Sequence, residues 1–84
     1  MNENSKMKKL ELFAQRLKEL RLARNWTQEV VAEQLETSRS LLSYYESAER
    51  EPGFTTILNL SKIFDVDPSY LMGESAVKKL NNKK

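Results

Sequence analysis

The 84-residue sequence predicts an all-α protein, a compact bundle of about five short helices. Three observations predict it. Every apolar run recurs at three- and four-residue spacing, and none alternates as a half-buried strand does. Helix starts are marked by Thr27, by Ser38 and by Asp67-Pro68, residue types that cap or open helices. The length suits one small domain, which buries only about 60–65% of its unfolded surface and so is expected to be modestly stable.

Residues 1–7 carry too few apolar side chains to pack and are expected to form a flexible segment. The folded domain is expected over residues 8–73. A first helix is predicted over about 8–24, with Leu10, Phe13, Leu17 and Leu20 as its buried stripe. Asn25 stands where a left-handed glycine is commonest after a helix, and Trp26 is expected to pin the link against the next helix. Thr27 caps a second helix that buries Val31, Ala32 and Leu35. Glu36 and Thr37 interrupt its pattern. Ser38 then caps a third helix, in which Leu42 and Tyr45 face inward while Arg39, Ser40, Ser43 and Tyr44 face outward. Val30 and Leu41 fall off the buried stripes, either as methyl-reading contacts or as scattered exposed residues. Pro52-Gly53 breaks the chain before a fourth helix, Phe54 to Phe64, whose stripe is Ile57, Leu60 and Phe64, widened by Leu58 and Ile63. Asp65 ends it. A fifth helix runs from Pro68 to Met72 and stops at Gly73. Beyond it lies a basic tail, 74–84, in which Ala76, Val77 and Leu80 are expected to form a last turn.

Composition narrows the chemistry. The chain contains no Cys and no His, which removes disulfides, thiolate metal sites and the commonest general base. Its glycines are Gly53 and Gly73, so there is no glycine-rich phosphate loop, and the acidic residues have no metal-loop spacing. No cofactor, metal or small-molecule ligand is implied, and no enzyme activity. No apolar run approaches the roughly 20 residues of a membrane helix, and the start lacks a signal peptide's apolar core. A cytoplasmic protein with no membrane partner is the expectation. The net charge of +2 is unevenly spread: residues 1–9 carry +2, residues 74–84 carry +3 and residues 10–73 carry −3. The acidic body leaves phosphate neutralisation to the tails or to local basic patches.

Two short helices joined this tightly must cross steeply, so the second is held proud of the body. Such an element fits the DNA major groove, about 12 Å wide. The residues Thr27-Gln28, Ala32, Leu35, Ser38, Leu42-Ser43 and Tyr45-Glu46, followed by Arg50 and Pro52, carry a resemblance. They are similar to the helix-turn-helix of the Xre/Cro-type repressors, the lambda-repressor-like DNA-binding domain. Residues 17–21 before the motif and 52–71 after it look like the same family, so the resemblance covers most of the chain. Glu36 and Ala48 stand where that family usually has glycine. If the backbone at 36 needs positive φ, a Glu there costs about 1 kcal/mol or more, and a reshaped turn is expected; the loop 49–52 is likewise expected to differ in detail.

The resemblance implies roles. Gln28 would bond a phosphate at the start of the second helix, where unpaired N–H groups already favour one; otherwise it is an ordinary exposed glutamine. Arg39, Ser40, Ser43 and Tyr44 match positions that touch base edges and flanking phosphates, with Arg39 suited to a two-pronged bond to guanine. Which of the four read bases stays open. Thr37 is either a phosphate contact or a plain turn residue. Arg21 and Glu46 look like the family's buried ion pair. Tyr70, Met72, Val77 and Leu80 are candidates for a homodimer contact, with Leu71 inside, because family members pair to reach successive major grooves about 34 Å apart. The implied function is sequence-specific binding of double-stranded DNA by a homodimer on a palindromic operator, as a transcriptional regulator and most simply a repressor. Alternatives are a restriction–modification controller, an autoregulating antitoxin, and a protein-interaction module that keeps the fold without DNA.

Overall fold

The computed structural model describes residues 3–78. Five helices follow in order: α1 (Glu3–Ala23), α2 (Gln28–Leu35), α3 (Arg39–Glu46), α4 (Phe54–Phe64) and α5 (Pro68–Leu71). α1 packs on α3 and α5, α2 lies against α3 and α4, and α4 meets α5. Leu17, Val31, Leu42, Leu60, Phe64 and Leu71 are fully enclosed where these faces converge. Each comes from a predicted stripe or from the short fifth helix, so the periodicity fixed which faces turned inward. Among the described residues, no helix is long and apolar enough to cross a membrane.

The start of α1 differs from expectation. It begins at Glu3, not near Lys8. Glu, Lys and Met are good helix formers, and extending a helix already nucleated by packed residues costs little. Met7, on these added turns, stays largely exposed.

Each turn has a local cause. Asn25 takes the left-handed backbone expected of it, φ 58°. Trp26 packs against Phe64 of α4, with ring centroids 5.7 Å apart. The Arg24 guanidinium covers both rings at 5.1 and 5.4 Å. It also donates to the carbonyls of Ile63 and Phe64, which the end of α4 leaves free. Thr27 Oγ1 accepts from the Val30 amide at 3.2 Å, and Ser38 Oγ from the Leu41 amide at 3.1 Å. Leu41 is half-buried against the core rather than free on the surface.

The turns on either side of α3 each hold a left-handed residue that is not glycine. Glu36 sits at φ 61° and Ala48 at φ 64°. The Thr37 amide donates to the Ala32 carbonyl at 2.9 Å and the Glu49 amide to the Tyr44 carbonyl at 2.9 Å. These closing bonds need a left-handed residue inside the loop. The side chains at 36 and 48 are therefore carried in a region L-residues disfavour.

The C-terminal end also departs from the predicted helical turn. Residues 74–78 run without helix, and Leu80 lies outside the described residues. Left-handed Gly73, φ 77°, turns the chain back. Arg16 of α1 then donates to the Tyr70 carbonyl at 2.6 Å and the Ser75 carbonyl at 3.0 Å. Lys9 Nζ pairs with Glu74 at 2.7 Å, and the Asp67 amide donates to the Lys78 carbonyl at 2.9 Å. Ser75 Oγ accepts from the Val77 amide, a local bond that competes with helix. Residues 74–78 are thus a strap on α1 and α5.

Two predictions follow from the turns. Glu36→Gly and Ala48→Gly each relieve a left-handed side chain, so each should raise stability by about 0.5–1 kcal/mol. In a domain this size that is a rise of several degrees in Tm, readable by circular dichroism; unchanged melting would mean the turns carry no strain. Asp67 accepts from both the amide and the hydroxyl of Ser69, at 2.9 and 2.8 Å. The backbone bond foremost, then the hydroxyl, lower its pKa below the ordinary carboxylate value. The cap's contribution is therefore complete above that ordinary value and fades as pH falls through the lowered one. Asp67→Ala should lower Tm clearly at neutral pH and much less in strong acid; equal losses at both would contradict the linkage.

Candidate nucleic-acid interface

The third helix is held by one buried ion pair. Arg21, near the end of α1, meets Glu46, the last residue of α3, in a two-pronged contact. Nε lies 2.7 Å from Oε2 and Nη2 lies 2.9 Å from Oε1. The side chains are only 10% and 4% exposed. Arg21 Nη1 is used as well, donating to the Trp26 carbonyl at 2.9 Å. The hydrogen bond to Glu46 raises the Arg21 pKa above its ordinary value, with the carboxylate's charge adding to it and burial opposing it. The pair expected from the resemblance is therefore present, and it is buried.

The network continues outward. Gln28 Nε2 donates to Glu46 Oε1 at 3.1 Å, and Arg39 Nη1 donates to Gln28 Oε1 at 3.2 Å. Helical spacing explains why Arg39 and Glu46 share it. They are seven residues apart, so they lie about 20° apart around α3, on the edge facing α2. Gln28, at the first position of α2, bridges that edge. One side of an open basin results, lined by Arg21, Trp26, Thr27, Gln28 and Arg39.

The outward face of α3 is as the pattern implied. Leu42 and Tyr45 are buried, with Tyr45 edge-on to Phe13 of α1 at 5.9 Å. Arg39 and Ser40 are exposed, Ser43 is half-buried, and Tyr44 is 45% exposed. Ser40, Ser43 and Tyr44 fall within roughly 100° of one another, with Arg39 at their border. This surface offers a guanidinium, two hydroxyls and a phenol, all able to bond base edges or phosphates. Thr37 is half-buried in the turn, and Val30 is half-buried on α2.

Sequence reasoning missed one member of this surface. Arg50 lies over the Tyr44 ring at 5.7 Å. The two are six apart and not neighbours on a helix; they meet because the left-handed turn at Ala48 folds the chain back. The motif includes Arg50 after α3, but its spacing does not reveal the return to Tyr44.

The homodimer candidates separate. Tyr70 is buried, 8% exposed, beneath the Arg16 guanidinium at 4.1 Å, so it is a core residue and not a free contact. Arg16 gives that ring a roof, a pairing across 54 residues that periodicity does not reveal. Met72 and Val77 are exposed, 38% and 58%. Leu71 is enclosed as expected.

Comparison with known proteins follows the same lines. Residues 17–71 match the family Helix-turn-helix. The chain is 40% identical over 69 residues to the HTH-type transcriptional regulator ImmR of Bacillus subtilis, covering 82% of this chain and 54% of that protein. It is 38% identical over 66 residues to the HTH-type transcriptional activator BcrR of Enterococcus faecalis, covering 77% of this chain and 32% of that protein. This chain thus spans about half or less of the curated relatives' lengths. The solved restriction–modification controller protein C.AhdI of Aeromonas hydrophila superposes with a TM-score of 0.68 at 35% identity, over 74% of this chain and 94% of that one. Buried fork, capped helix pair and matched residues agree: the chain belongs to the Xre-type helix-turn-helix family of transcriptional regulators.

Proposed function

We propose that this chain binds a specific double-stranded DNA sequence as a homodimer and represses transcription from cytoplasmic promoter DNA by occupying it. The observation that carries the reading is the first turn of α3. Arg39 and Ser40 are exposed on a helix whose far end is fixed to the body by the Arg21–Glu46 fork. A reading helix must be both open and firmly held, and the exposure of Arg39 and Ser40 together with the fork supports that reading of α3. Arg39 reaches guanine O6 and N7, Ser40 and Ser43 face the same groove, and Tyr44 with Arg50 meets the flanking backbone. Gln28 and the start of α2 take a phosphate. A two-fold pair of such helices reads a palindromic site.

A second reading within the same class, a restriction–modification controller, is favoured by the likeness to C.AhdI. It shares the DNA contact and differs in the gene controlled. A module that retains the fold without DNA binding is separated by experiment. A dimer neutralising about eight phosphates should show log K falling against log salt with a slope near −7. A protein-binding module would shift no duplex at any salt.

Arg39→Ala should relax base preference at one position per half-site. It should weaken the preferred duplex by about 5- to 150-fold at that position, the equivalent of roughly 1–3 kcal/mol. Selection from a random duplex pool followed by footprinting checks this. An unchanged selected sequence at unchanged affinity would remove Arg39 from the reading surface.

A further inference from the structure

We infer that Leu22, at the end of α1, is a DNA contact: its side chain packs on a deoxyribose of the strand whose phosphate Gln28 takes. The inference rests on the DNA-binding reading above and adds to it an apolar contact from a helix outside the capped pair. Leu22 is 52% exposed and takes no part in the core, whose α1 members include Phe13, Leu17 and Leu20. A lone exposed leucine is ordinary. The place of this one is not, because it lines the open basin that also holds Trp26, Gln28 and Arg39. Met7 is exposed to a similar degree, 58%, but lies on a different concavity that shares no lining residue with the basin. The basin has a volume of about 730 Å³. Clefts of roughly 300–1,000 Å³ hold drug-sized molecules, so one sugar–phosphate unit of a duplex strand has room in it.

A duplex strand alternates two chemistries, a charged phosphate and a sugar whose ring carbons are largely apolar. The basin offers the complement of each. Thr27 takes the amides of Val30 and Val31, through its hydroxyl and its carbonyl, and leaves those of Gln28 and Glu29 open at the start of α2. Arg39 donates to Gln28 at 3.2 Å, so a phosphate on Gln28 flanks the base that Arg39 meets. The apolar side is made by Leu22 and by the half-buried Trp26, which is fixed against Phe64 and beneath Arg24. Charge limits what else can enter. Glu29 is the one carboxylate on the basin wall, and it disfavours a second phosphate. Arg21 has its arms committed to Glu46 and the Trp26 carbonyl, so it offers no further anion contact. With one phosphate on Gln28, the neighbouring group along the strand is a sugar, and Leu22 is the exposed apolar side chain placed to cover it. Such a contact sets register on the duplex without reading sequence.

Duplex titration with the full chain tests this, using the preferred site and the same site changed at single base pairs. Leu22→Ala should weaken every duplex by the same factor, about 3- to 10-fold, through the loss of an aliphatic contact. The selected sequence should not change, and neither should the slope of log K against log salt, since no charge is lost. Met7→Ala should bind as wild type does. Leu22→Met, which keeps the apolar chain, should stay close to wild type. Circular dichroism checks folding, and Leu22→Gln, also a good helix former, should show the same uniform loss if Leu22→Ala loses helix. Wild-type binding of every duplex by a folded Leu22→Ala would overturn this contact and leave the DNA-binding reading intact. A loss confined to duplexes altered at one base pair would also overturn it, because Leu22 would then meet a base edge and not a sugar. A wild-type chain that shifts no duplex would overturn both readings.

Discussion

The two-pronged contact between Arg21 and Glu46 fixes how the other parts are arranged. One carboxylate joins three helices: α3 carries it, α1 supplies the guanidinium and α2 supplies Gln28. The third guanidinium arm holds the link at Trp26. A planar fork tolerates little rotation, so it specifies angle as well as distance. Buried ion pairs of this kind add little net stability, since desolvation offsets much of the attraction. Stability comes from Leu17, Val31, Leu42, Leu60, Phe64 and Leu71, which enclose one another without polar atoms. Apolar burial is indifferent to small rotations of α3, and the fork is not. The two forces therefore divide the work, one holding the fold together and the other aiming the helix.

The turns on either side of α3 belong to the same design. Left-handed residues at 36 and 48 let the chain reverse sharply on either side of an α3 only two turns long. The second turn also returns Arg50 to Tyr44, which enlarges the exposed surface at the far end of the helix. Local strain and the exposed polar surface of α3 thus occur side by side.

Much of this was legible in the sequence because its causes are local. The caps at Thr27, Ser38 and Asp67 act within three residues, and the stripes of α1 and α4 follow from the period of the helix. Arg21 and Glu46 were reachable only through the family resemblance, since nothing local links residues 25 apart. What escaped has a non-local cause. Tyr70 looked spare on a four-residue helix, but Arg16 reaches it from α1 and encloses it. The strap at 74–78 depends on carbonyls captured by the same arginine. The Trp26–Phe64 contact is covered by Arg24, which also caps α4 from outside. In each case a long basic side chain crosses between elements, and periodicity carries no information about where such a side chain ends.

The central claim is that the buried fork aims the reading surface through Gln28. A double-mutant cycle measures it: affinity for the preferred duplex in wild type, Glu46→Gln, Arg39→Ala and the double variant, at a temperature where all four are folded. A coupling of about 0.5–3 kcal/mol between the two positions is expected, because they share one hydrogen-bonded chain. Strictly additive losses would contradict the account, showing that Arg39 reaches DNA independently of the pair beneath it.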